Sequence, residues 1–119
     1  MTEPTLEQKR TWAAEMCGLW LDDSAHKIHS SNPPSYRHKD GFRCRVYDWR
    51  PDENWQQMGM LIEVMRSKFS VSIHSNYSFH SAYYPWVCII KDGEKRLAYE
   101  GARELPAAVL DAAYGACHG

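Results

Sequence analysis

A chain of 119 residues and 13.8 kDa suits one compact domain, long enough to bury a core without disulfide staples. Its formal charge of −1, from 14 basic and 15 acidic residues, argues against a protein that coats nucleic acid or an anionic membrane through net charge, while local patches stay open. Cys17, Cys44, Cys88 and Cys117 are scattered without a Cys-x-x-Cys pair, Met1-Thr2-Glu3-Pro4 does not open a secretory signal, and no apolar run approaches the ~20 residues of a membrane helix. The expectation is a cytoplasmic protein with reduced thiols, no bound metal and no cofactor.

In chain order, Trp12, Ala13, Met16, Cys17 and Trp20 recur at three-and-four spacing, which predicts a first helix over residues 6–21. A long polar loop follows over residues 22–41, where Ser30-Ser31-Asn32-Pro33-Pro34-Ser35 forbids regular structure. Such a loop is more often functional or disordered than idle. From Phe42 to Val46 apolar and basic residues alternate, the period of a strand with one buried face that displays Arg43 and Arg45 side by side. Pro51 interrupts the chain, and Asp52 is placed to cap the next helix with Glu53 adding charge at its positive end. Trp55, Met58, Ile62, Met65 and Phe69, with Leu61 beside them, mark the buried face of that helix.

Phe69, Val71 and Ile73 then switch to period two, so a strand follows almost directly, and residues 76–82 form a polar loop. Residues 86–90 are apolar at every position, which predicts a central strand covered on both faces. Asp92-Gly93 predicts a tight hairpin returning through Arg96, Leu97, Ala98 and Tyr99, with Gly101 ending the strand. A last helix begins near Glu104, tolerates Pro106 in its first turn and carries Leu105, Ala108, Val109, Ala112 and Ala116 on one side. The sum is a single α+β domain over residues 1–119: an α/β/α sandwich with a small, mostly antiparallel sheet of about four strands and three helices.

The order of these elements, with Met16-Cys17-Gly18-Leu19-Trp20, Pro51-Asp52-Glu53-Asn54-Trp55, Met65-Arg66-Ser67-Lys68-Phe69, the strand holding Trp86 and the closing Ala102-Arg103-Glu104-Leu105-Pro106-Ala107-Ala108, resembles the alpha-beta-alpha (ABA) sandwich family of small tailed-phage proteins. The resemblance implies a phage or prophage accessory protein acting in the cytoplasm of the host cell, and it carries no activity and no catalytic residues. The loop over residues 22–41 departs from the family in its length.

No nucleophile motif, glycine-rich phosphate loop or closed metal-ligand set occurs in the chain. His26-x-x-His29, His38 and Cys44 could ligate zinc, but only the first two are close in sequence, and solvated loop side chains are the simpler reading. His74 and His80 flank a loop as an acid and base pair would. A two-histidine phosphoesterase, however, needs Ser or Thr two positions after each, where Asn76 and Ala82 stand. Cys44, Cys88 and Cys117 read as interior thiols. Trp49, Trp55, Tyr77, Tyr83, Tyr84 and Trp86 crowd the middle of the chain together with Arg43, Arg45 and Arg50. Trp55 and Trp86 fall on core faces, which leaves Arg43, Arg45, Trp49, Arg50, Tyr83 and Tyr84 as an exposed ligand-binding set: rings that stack and guanidinium groups that take negative charge.

The expectation is therefore a non-enzymatic anti-defence protein. One version sequesters a small, anionic, nucleotide-type immune signal of the host. The other masks a host protein, and a zinc- or histidine-dependent hydrolase is the remote alternative. Neither a membrane nor bulk nucleic acid is expected as partner, and a homo-oligomer stays open.

Overall fold

The computed structural model describes residues 3–75 and 85–118. In chain order it contains helix α1 (Leu6–Met16), strand β1 (Trp20–Asp22), the short helix α2 (Ser24–Ile28), strands β2 (Ser35–Arg37) and β3 (Arg43–Arg45), a 3₁₀ turn (Val46–Asp48), helix α3 (Trp55–Arg66), strands β4 (Ser70–Ser75), β5 (Trp86–Asp92) and β6 (Lys95–Ala102), and helix α4 (Leu105–His118). The α+β class expected from the sequence is present. The strands, however, form two antiparallel three-stranded sheets, β1-β2-β3 and β4-β5-β6, rather than one sheet of about four.

The additional sheet arises where a helix end and a loop were expected. Helix α1 starts in a capping box between Thr5 and Gln8. It ends five residues earlier than its apolar spacing suggests because Gly18 adopts a φ of 76°. The Gly18 N–H then bonds to the Glu15 carbonyl at 3.0 Å and the Leu19 N–H to the Ala14 carbonyl at 2.9 Å, the paired bonds of a Schellman cap. The chain leaves extended, so Trp20 stands half exposed on β1 instead of on a helix face. The region over residues 22–41 is likewise no featureless loop. Asp22 accepts bonds from Ser24 N–H at 3.0 Å and Ser24 Oγ at 2.7 Å, which opens α2, and β2 follows directly after the paired prolines.

The core lies where α1, α3 and α4 meet β5 and β6. Ala108, Val109, Leu110, Ala112 and Ala113 of α4 are all fully buried, so this helix is covered on more than the single side its sequence suggests. Small side chains allow that close approach; a Cβ on Gly115 would sit 3.9 Å from the Ala98 Cβ. Strand β5 is the middle strand of its sheet, as its apolar run predicts, and Cys88 and Ile90 face the helices from it. The register puts Ser72, Ile89 and Tyr99 in one row, and His74, Val87 and Gly101 in the next, on the opposite face. Neither Val87 nor Ile89 of that face belongs to the core that the helices build, although Val87 is buried, so among the described residues the helix-packed core lies on one side of this sheet rather than on both. The β5–β6 loop is Gly93-Glu94, with a positive φ of 63° at Gly93 alone, the pattern of a type II′ turn.

Helix α3 is capped by Asn54, whose side chain accepts the Gln57 N–H at 3.0 Å, and not by Asp52. Asp52 is buried and holds Arg10 in a two-pronged pair, Nε to Oδ1 at 2.7 Å and the terminal nitrogen to Oδ2 at 2.8 Å, which ties α1 to the start of α3. Because Trp55 is the first residue of α3, it is 55% exposed, and its ring meets Trp86 edge-on at 6.3 Å. Met58, Leu61 and Met65 supply the buried face.

Candidate functional site

Strand β3 carries the alternation its sequence predicts: Phe42, Cys44 and Val46 are partly buried, while Arg43 and Arg45 are exposed. The register of the first sheet extends this pattern across three strands. Trp20, Arg37 and Arg43 stand in one row and Asp22, Ser35 and Arg45 in the next, all on the same face. Within that face Arg37 Nε pairs with Asp22 Oδ2 at 2.6 Å. Hydrogen bonds from Ser24, with the charges of Arg37 and Arg43 behind them, hold the Asp22 carboxyl below its ordinary range. Arg43 makes no ion pair among the described residues. Arg45 donates to the Tyr47 hydroxyl at 2.7 Å and makes no ion pair among the described residues.

A groove of about 540 Å³ runs beside β3, lined by Phe42, Arg43, Cys44, Arg45, Asp48 and Gln56, with Ser35 and Gln57 at its floor. Phe42 and all three residues of β3 line it in succession, so it follows the edge of the strand rather than one of its faces. Gln57 fixes the geometry of that wall: its Nε2 donates to the Asp48 carbonyl at 3.0 Å and lies 3.6 Å from the Cys44 sulfur, while its Oε1 accepts the Arg50 N–H. A buried glutamine with all its polar atoms engaged thus joins β3, the 3₁₀ turn and α3. Nothing in the linear spacing of Gln57 marks it for this role.

Of the expected ligand-binding set, Arg43 and Arg45 stand together in the groove. Arg50 is exposed beside it, but its guanidinium is engaged by the Tyr47 carbonyl at 3.1 Å and by Glu53 at 3.2 Å. Trp49 is a correction. It is 1% exposed, donates its indole N–H to the Arg10 carbonyl at 2.8 Å and meets Tyr36 and Phe42 edge-on at 6.3 Å, so it offers no face to a ligand. Its place in a connecting segment suggested exposure; its neighbours from α1 and the first sheet bury it. Tyr83 and Tyr84, with Tyr77 and His80, lie outside the described residues.

The histidines of the 22–41 region take separate local partners. His26 Nδ1 lies 2.9 Å from the Asn32 carbonyl, His29 Nδ1 bonds Ser31, and His38 Nδ1 lies 2.9 Å from the Asp40 carboxylate. Among the described residues no three His, Cys, Asp or Glu side chains come together as a metal site. A second cleft of about 420 Å³ does gather Cys17, His38, Asp40 and Glu63, which linear spacing did not bring together. It has the residue types of a thiol nucleophile with a base and an orienting acid. Burial, however, pushes the Cys17 thiol up to about 12, the reverse of what a nucleophile requires. Cys88 is likewise pushed up to about 11 by burial, whereas Cys117, read from sequence as interior, is exposed.

The described residues contain no helix long and apolar enough to cross a membrane. Comparison of the chain with protein-family models, with curated proteins and with solved structures matches none of them.

Proposed function

We propose that this protein acts by binding rather than by catalysis, and that it masks a host protein by engaging an acidic segment of it at the β3 groove. The phage setting comes from the motif resemblance. The binding mode rests on one observation: Arg43 and Arg45, two neighbouring cations that make no ion pair among the described residues, line an open groove along the edge of a strand. Guanidinium groups are suited to carboxylates because their donors match both oxygens, and arginine is enriched at the centres of protein interfaces. Next to lining residues of the groove, Tyr47 and Trp55 are about half exposed, a further supply of interface contacts.

The sequestering version keeps one specific support, since two adjacent arginines in a cleft of this size also suit a small anionic nucleotide. Its stacking element is weaker, because Trp49 is in the core. Mass spectrometry on protein purified from infected cells separates the two. The masking version expects a co-purifying protein that is lost when Arg43 and Arg45 are both replaced by alanine in a chain that still folds. A nucleotide released on denaturation, and absent from the double variant, would establish the sequestering version instead. Unchanged retention of either partner by the double variant would remove the groove from both.

A further inference from the structure

Strand β3 is an edge strand: β2 pairs with it on one side, and among the described residues no strand pairs with it on the other. The hydrogen bonds that close the β2–β3 hairpin show which backbone groups are used. The His38 N–H donates to the Phe42 carbonyl at 2.9 Å and the Val46 N–H to the Pro34 carbonyl at 3.1 Å. Residues 42, 44 and 46 therefore turn their backbone polar groups toward β2, and those of Arg43 and Arg45 point the other way, into the groove. The Arg45 carbonyl takes the Cys44 thiol at 3.2 Å. Among the described residues the N–H and C=O of Arg43 and the N–H of Arg45 have no partner, and Gln56 in the exposed first turn of α3 lines the same groove.

We propose that the partner supplies an extended acidic segment that adds to the first sheet as a fourth strand along β3, with carboxylates at alternate positions facing Arg43 and Arg45. This rests on the masking reading above and names the chemistry of its partner. An added strand lies about 4.8 Å from its neighbour and takes main-chain bonds from the edge, which is the role of the open Arg43 and Arg45 groups. Specificity then comes from alternate side chains. Arg43 and Arg45 share one face, so acids two residues apart in the partner meet both, whichever way the segment runs. The same two cations disfavour a second copy of this chain at the edge, since like charges would be brought opposite each other, as charged edge strands do generally. Because β3 has only three residues, main-chain pairing alone is weak, and the arginines are needed to hold the segment. Asp48 at one end of the groove repels a carboxylate placed beyond the pair, so the acidic pattern is short.

The test uses the full chain and a short synthetic peptide of alternating aspartate and valine. Expected are saturable binding, slowed hydrogen exchange at the Arg43 and Arg45 amides, and a loss of about tenfold or more when alternate peptide amides are N-methylated, which keeps the charge and removes the pairing. R43P should bind several-fold more weakly than R43A, because both lose the charge and only the first loses the outward N–H, a substitution that sheet edges tolerate. The N-methylated peptide tests the same point on the unaltered protein if R43P does not fold. Absence of saturable binding, or binding indifferent to N-methylation, overturns the strand-addition proposal. If the host protein found above is still lost from the alanine double variant while its binding leaves the Arg43 and Arg45 amides unprotected, the masking function stands and strand addition alone falls.

Discussion

Replacing Trp49 with phenylalanine separates a core tryptophan from a ligand platform. The indole is 1% exposed, its N–H bond to the Arg10 carbonyl measures 2.8 Å, and its two edge contacts reach across to Tyr36 of β2 and Phe42 just before β3. Phenylalanine keeps one ring and the edge contacts. It loses the hydrogen bond, about 1 kcal/mol, and the second ring's packing, about 1–2 kcal/mol more with the void it leaves. The expected destabilisation is about 2–3 kcal/mol, which for a chain of this length lowers Tm by roughly 6–15 °C. Alanine at the same position should cost about 3–5 kcal/mol. Urea denaturation followed by circular dichroism measures both, with the m-value checking that the unfolded state is comparable. R43A/R45A is the counterpart, because two exposed arginines should change stability by no more than about 0.5 kcal/mol each while partner binding falls. A W49F protein within about 0.5 kcal/mol of the parent, or one that binds its partner less well per folded molecule, would refute the placement of Trp49 in the core and return it to the binding surface.

Breaking the Arg10–Asp52 pair with R10M leaves a buried carboxylate unpaired and should cost about 2–4 kcal/mol, and a loss below about 1 kcal/mol in urea titrations would contradict its structural role. Stability should fall on acidification below about pH 4, because the Asp22 and Asp40 carboxyls are held below their ordinary range in the folded chain. Between their unfolded value, about 3.9, and the lower folded one, the unfolded state binds more protons. Urea midpoints measured across this acid range should show a shallower slope in D22N/D40N than in the parent, and an identical slope argues against both assignments. Thiol labelling of the native protein should modify the exposed Cys117 first, with Cys17 and Cys88 reacting only on unfolding, since burial pushes those two thiols up to about 12 and about 11. Rapid native labelling that persists in C117S, and maps to Cys17 or Cys88, would show that those interiors open.

Local chemistry determined by itself those features that depend only on neighbours along the chain. The apolar and basic alternation through β3 set which side chains point outward, and the unbroken apolar run of β5 marked the central strand. Gly93 provided the tight turn, and small residues prepared α4 for close packing. What tertiary structure decided was which competing local preference prevailed. The helical spacing that includes Trp20 yielded to the left-handed Gly18, whose cap releases the chain into β1. The Pro-Pro segment, irregular in itself, delivers β2 between two partners, so a second sheet forms where the sequence offered a loop. Asp52 had the chemistry of a helix cap, yet it forms its strongest contacts with Arg10, 42 residues away in sequence. Trp49 and Trp55 exchanged their expected roles for the same reason. Burial is set by which elements converge on a side chain, and neither the α1 carbonyl that holds Trp49 nor the point at which α3 begins is encoded in the spacing of the aromatic residues themselves.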